Sequence, residues 1–162
     1  MNKSEINKIL ELYNSKDWSE SSKFFDVKVD DKSDKKSKRN TWVHLEKIPE
    51  FTFVKSIIEE EVKQLDKSYY PTEFITLLVY DEGDFFAEHA DGVSSTTVKT
   101  GGYLLNSEFT GGEFMLRGID QKYKVGELFY FNRDELHSIQ PVMSGRRFAL
   151  HFGILKKTES LI

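Results

Sequence analysis

The sequence predicts an α+β fold that is mainly β: a sandwich or jelly roll of short strands with supporting N-terminal helices. Three observations carry this expectation. After Pro71 the chain breaks into seven short apolar segments separated by turns rich in Gly, Asn, Asp and Ser. Before Pro71, two segments repeat apolar residues at helical spacing. Finally, 162 residues with 14% aromatics can fill one core but leave little for a second. The chain therefore reads as one domain over 1–162, with a helix-and-strand prologue at 1–72 and a strand-rich core at 73–156.

Ile6, Ile9, Leu10 and Tyr13 predict a helix over 3–14, with Ser4 as its cap and Leu12 off the stripe. FFDVKV (24–29) alternates as a strand does. The mixed-charge run from Asp30 to Asn40 reads as a solvated hairpin tip, with a substrate- or partner-contacting loop as the competing reading. TWVHL (41–45) is expected to return as a strand. Phe51, Val54, Ile57, Ile58, Val62 and Leu65 then form one apolar stripe of a helix within 48–65, which YYP (69–71) ends. The strands expected after it are 74–80, 85–91, 98–105, 112–116, 126–131, 137–142 and 146–155. The runs DEGD, NSEFTGG, RGID, NRDE and MSG are read as the turns between them.

Composition narrows the chemistry. There is no cysteine, so a thiolate zinc site, an iron–sulfur cluster and a cysteine nucleophile are excluded. Any transition metal must be held by the four histidines and by carboxylates. The net charge of −4 argues against a surface built to hold phosphate backbones, so nucleic acid is not the expected partner. No apolar run precedes a small-residue cleavage site, and no apolar stretch is long enough to span a bilayer, so a soluble, cytoplasmic protein without membrane association is expected.

Three of the four histidines fall in the strand-rich half. His89 and Asp91 make an H-x-D step, which on extended backbone points both side chains to one face. Alone, such a step is more often a satisfied polar pair than a metal site. His137 opens a neighbouring segment and can supply a third ligand from an adjacent inner strand. Two imidazoles and one carboxylate on one face of an octahedron leave three adjacent positions open, as oxygen-activating ferrous sites require. Arg147 follows ten residues later, where alternation places it on one face with Ala149, His151 and Gly153. An always-charged guanidinium that grips a carboxylate through two parallel hydrogen bonds suits an anionic co-substrate. Arg146, on the other face, reads as a surface arginine. His151 reads as a core histidine, with a substrate-facing place as the alternative, and His44 has no assigned role.

The segments YDEGDFFAEHADG, YLLNSEFTGGEFML and GELFYFNRDELHSIQPVMSGRRFALHFGI together resemble the iron(II)- and 2-oxoglutarate-dependent dioxygenases, most of all the prolyl-4-hydroxylase-like branch. The match runs from Tyr80 to Phe152, and its most specific part is H-x-x-x-P-V-x-x-G-x-R behind a strand. The resemblance implies a double-stranded β-helix, a jelly roll, for the core. It implies His89, Asp91 and His137 as iron ligands and Arg147 as the anchor of the distal 2-oxoglutarate carboxylate. Tyr80 matches a tyrosine that helps hold the co-substrate, and a core aromatic is the alternative. Gly111 and Gly112 are expected to shape a turn rather than perform chemistry.

The implied cofactors are Fe(II) and 2-oxoglutarate, with ascorbate as an accessory reductant. The implied partners are dioxygen and a peptidyl proline in a peptide or protein, with a free amino acid or other small molecule as the alternative substrate. A non-catalytic, cupin-like binding module on the same shell is the competing class. The sequence departs from the family between Asp91 and Tyr103, where the stretch is short and VKTGGYLL replaces an arginine-bearing element. That departure bears on the substrate rather than on the iron site.

Overall fold

A computed structural model describes residues 1–18, 37–92, 94 and 96–157. In chain order its elements are helix α1 (Lys3–Ser15), strands β1 (Lys38–Arg39) and β2 (Thr41–His44), and helix α2 (Thr52–Leu65). Strands β3 (Tyr69–Pro71), β4 (Thr76–Tyr80), β5 (Phe85–His89), β6 (Thr97–Leu104) and β7 (Phe109–Gly111) follow. Then come β8 (Phe114–Leu116), β9 (Ile119–Asp120), β10 (Leu128–Asn132), β11 (His137–Ile139), β12 (Val142–Gly145) and β13 (Arg147–Lys156). The expected strand at 24–29 and the 30–36 part of the charged run lie outside the described residues.

Two antiparallel sheets form the body. The larger runs β10-β6-β13-β4-β2, with β3 also paired to β13, and the smaller runs β1-β5-β11-β8-β9. The larger sheet is buried on both faces, and its alternation shows how. Leu77 and Val79 of β4 and Phe148, Leu150, Phe152 and Ile154 of β13 pack in one core cluster with the buried stripes of both helices. Thr76, Leu78 and Tyr80, and likewise Arg147, Ala149 and His151, point instead into the space between the sheets. Burying Ile6, Ile9 and Tyr13 beneath α1 contributes about 1.5–3 kcal/mol per large side chain.

Several sequence expectations are corrected in detail. The cap of α1 is Asn2 rather than Ser4: the Asn2 side chain accepts from the Glu5 N–H, and the Glu5 side chain accepts from the Asn2 N–H. Helix α2 ends before YYP, where Ser68 donates from both its backbone and its hydroxyl to Asp66 Oδ1. YYP itself then pairs with β13. Leu65 is 37% exposed and leaves the stripe. NSEFTGG and MSG are not simply turns, because β7 and β12 pair there as a separate two-stranded ladder. The end of the charged run is ordered structure rather than a hairpin tip. Lys38 and Arg39 pair with β5, and Arg39 Nε lies 3.1 Å from the buried Asp84. Gly111 and Gly112 do shape a turn, at φ +70° and +64°, where L side chains rarely sit.

Candidate metal centre and its cavity

Between the sheets lies a cavity of about 270 Å3, walled by β2, β4, β10 and β13 on one side and β5, β8 and β11 on the other. Its lining is largely apolar and aromatic. His89 ends β5 and His137 begins β11, and the two residues are direct partners across the antiparallel ladder. Their rings are 4.2 Å apart between centroids. Asp91 lies just past the end of β5, so strand alternation alone does not aim it, yet it converges as the H-x-D step predicts. Its Oδ1 is 3.5 Å from His89 Nε2 and 3.3 Å from His137 Nε2. All three ligand atoms lie within 4.8 Å of one another.

Backbone carbonyls select the tautomer of both imidazoles. His89 Nδ1 is 2.7 Å from the Ala87 carbonyl oxygen, and His137 Nδ1 is 2.9 Å from that of Glu135. Each Nδ1–H donates outward, which turns the Nε2 atoms to Asp91: protonated they donate to its carboxylate, and neutral they offer a lone pair to a metal. Burial by itself raises the Asp91 carboxyl, but hydrogen bonds involving His137, His89 and Thr100 outweigh it and hold the group far below its ordinary range. Burial opposes protonation of His137, yet the Asp91 hydrogen bond and the Glu135 carbonyl raise it overall. Two neutral imidazole nitrogens and one ionised carboxylate oxygen at this spacing are a donor set for a divalent first-row metal.

Arg147 and Tyr80 stand opposite each other on β13 and β4 and line the same cavity. The arginine is 3% exposed, and its Nε has no hydrogen-bond partner. No ion pair to it is found among the described residues. Its guanidinium lies 5.4 Å from the Tyr80 ring centroid and 5.9 Å from that of Phe109. Tyr80 is fully buried, with the Asn40 side chain beside its hydroxyl. A buried cation with no ion pair, beside a phenol in an open cavity, fits a carboxylate ligand better than it fits a packed core.

The remaining histidines and Arg146 sort clearly. His151 lines the cavity rather than the packed core, which corrects the core reading, and burial pushes its imidazole down. His44 is not among the cavity-lining residues, and its Nδ1 lies 3.8 Å from Glu46. Arg146 is the surface residue expected, hydrogen-bonded through Nε to Asp81 at 2.6 Å. Two neighbours of Asp91 went unassigned at the level of sequence: Thr100, which donates to Asp91 Oδ2 at 2.6 Å, and Arg133, which donates to the Asp91 carbonyl at 3.0 Å.

No protein-family model and no curated protein sequence matches this chain. Solved structures do. A Pseudomonas putida prolyl-4-hydroxylase superposes with a TM-score of 0.69 at 10% identity, over 98% of this chain and 89% of the other. The viral collagen prolyl hydroxylase of Paramecium Bursaria Chlorella virus-1, solved as a 2OG complex, gives 0.65 at 17% identity over 98% and 92%. A Trichoplax adhaerens prolyl hydroxylase, in complex with a hypoxia inducible factor oxygen degradation domain peptide fragment, gives 0.62 at 17% over 95% and 78%. At these identities the likeness is one of fold: the chain has the mainly β jelly-roll fold of these prolyl hydroxylases.

Proposed function

We propose that this protein is an Fe(II)- and 2-oxoglutarate-dependent oxygenase that hydroxylates a substrate C–H bond, with a prolyl residue in a peptide or protein as the substrate. The observation that carries the proposal is the pairing, in one cavity, of the His89–Asp91–His137 donor set with the unpaired buried Arg147. Either feature alone has an ordinary structural explanation. Together they provide for both a metal and a dicarboxylate.

In this reading His89 Nε2, Asp91 Oδ1 and His137 Nε2 hold the iron, and Arg147 with the Tyr80 hydroxyl binds the far carboxylate of 2-oxoglutarate. When bound, iron and 2-oxoglutarate supply the oxidising chemistry: dioxygen is consumed, the 2-oxo acid yields succinate and carbon dioxide, and one oxygen atom enters the substrate. The protein's own part is placement and exclusion of water. The Ala87 and Glu135 carbonyls fix both imidazole rings, and Phe114, Phe129 and Phe131 keep that end of the cavity dry. Trp42 and Phe86, the latter stacked on His89 at 3.9 Å, offer flat apolar walls suited to a pyrrolidine ring. The prolyl hydroxylases with the same fold support a peptidyl proline over a free metabolite, and ascorbate is assigned as the accessory reductant.

The test is mass spectrometry of a panel of proline-containing peptides and small metabolites after incubation with Fe(II), 2-oxoglutarate and ascorbate. A gain of one oxygen that requires 2-oxoglutarate, with matching succinate, is expected on a peptide and lost in His137→Ala. Gain on a free metabolite alone would replace the substrate assignment. Full turnover by His137→Ala would overturn the site.

A further inference from the structure

The two oxygens of Asp91 have different surroundings. Oδ1 faces the imidazoles of His89 and His137. Oδ2 instead accepts a hydrogen bond of 2.6 Å from the Thr100 hydroxyl. Thr100 is fully buried in the middle of β6, so water does not compete for that hydroxyl. The hydroxyl also has an assigned direction. Arg133 Nη1 approaches Thr100 Oγ1 at 3.5 Å as a donor, so the oxygen accepts there and directs its own proton to Asp91.

Arg133 does more than orient the hydroxyl. Its Nη2 donates to the Asp91 carbonyl at 3.0 Å, and its Nε donates to the Gly92 carbonyl at 2.8 Å. In return the Asp91 N–H donates to the Arg133 carbonyl at 2.9 Å. Asp91 stands beyond the end of β5, where no ladder fixes the backbone. One guanidinium from the turn after β10 therefore does for this residue what strand pairing does for His89 and His137. The planar fork makes three contacts that an ammonium could not make together.

From this geometry we infer that Thr100 and Arg133 are positioning residues that hold Asp91 as a single-oxygen metal ligand. The inference rests on the metal-site reading above and deepens it. With Oδ2 tied to Thr100, the carboxylate would present only Oδ1 to a metal held by the two imidazoles. With Thr100 removed, Oδ2 is left unpaired, and the carboxylate loses the bond that fixes its rotation about the last side-chain bond. Neighbours of this kind commonly change metal affinity by about 10–100-fold.

The experiment is a Mn(II) titration of the full chain, read by the loss of the free-ion electron paramagnetic resonance signal. Circular dichroism of each variant checks its fold. The wild-type protein should bind one Mn(II). Thr100→Val, which keeps the shape but not the hydroxyl, should bind about tenfold or more weakly, and Thr100→Ser should restore binding to within about threefold. Arg133→Gln should weaken binding while the circular dichroism spectrum is unchanged. Binding by Thr100→Val at wild-type affinity overturns the inference, as does Thr100→Ser proving as weak as Thr100→Val, since packing of the methyl group would then be the cause. Failure of the wild-type protein to bind Mn(II) overturns the metal-site reading and this inference with it. Because the wild-type result is read separately, the two failures are distinguishable.

Discussion

Replacing Arg147 by methionine should make the ligand-free protein more stable and, at the same time, nearly blind to 2-oxoglutarate. The guanidinium is buried, its Nε is unpartnered, and burial pulls its pKa down although Tyr80 opposes the shift. Moving a cation from water into such a place costs several kcal/mol even after relaxation. The Tyr80 and Phe109 rings, at 5.4 and 5.9 Å, offset about 0.5–2 kcal/mol of that. Methionine has similar reach, no charge and an adaptable thioether, so a net gain of about 1–3 kcal/mol is expected without ligand.

The ligand side has the opposite sign. Two hydrogen bonds to a charged group, worth about 1.5–3 kcal/mol each, are lost. The 2-oxoglutarate requirement should then rise by about 100-fold or more. Urea unfolding with Mn(II) present, with and without 2-oxoglutarate, measures both effects. At about 100 times its Kd, 2-oxoglutarate should stabilise the wild-type protein by about 2.7 kcal/mol, and at that concentration it should leave Arg147→Met almost unchanged. Two results would refute the reasoning: a ligand-free variant less stable than wild type, or an undiminished ligand effect.

Gly102→Ala should destabilise the fold by about 2–3 kcal/mol, because an added Cβ would lie 2.5 Å from the Leu150 carbonyl oxygen and 2.7 Å from Phe129 Cζ; the urea midpoint measures it. Burial and the neighbouring Glu61 carboxylate both raise the Tyr103 phenol. The unfolded chain therefore ionises near pH 10 while the folded protein keeps its proton. Stability from this group is complete below about pH 10 and falls by up to about 1.4 kcal/mol per unit above it. Tyr103→Phe should flatten that alkaline decline, and an unchanged slope in urea melts from pH 9 to 12 would count against it.

What was legible in the sequence follows the range of the signal. The inward face of β13 was readable because alternation is local: Arg147, Ala149 and His151 line the cavity, while Phe148, Leu150 and Phe152 pack beneath the helices. His137 was readable because a long spaced motif surrounds it. Thr100 and Arg133 were not, since their bonds to Asp91 span 9 and 42 residues and depend on how the sheet of β6 and β10 packs against that of β5. The helix cap failed differently. Ser4 and Asn2 are both capping residues, and only the Asn2-x-x-Glu5 spacing separates them. The order of strands in each sheet had no local signature at all.

The His89–His137 ladder pairing has a consequence for how such a protein can change. The separation of the two imidazoles is set by the spacing between neighbouring strands, about 4.7–4.9 Å, and not by the length of the chain joining them. Loops between Asp91 and His137 that touch none of Thr100, Arg133 and Glu135 can therefore lengthen, shorten or change charge without moving either ring. A slip of one residue between β5 and β11 would instead turn every side chain of one strand to the other face. The register does shift between His137 and Ile139, an irregularity that sits beside the histidine pair. The spacing of the two imidazoles is thus written in the ladder, and loops that do not touch it can be redesigned while it is left alone.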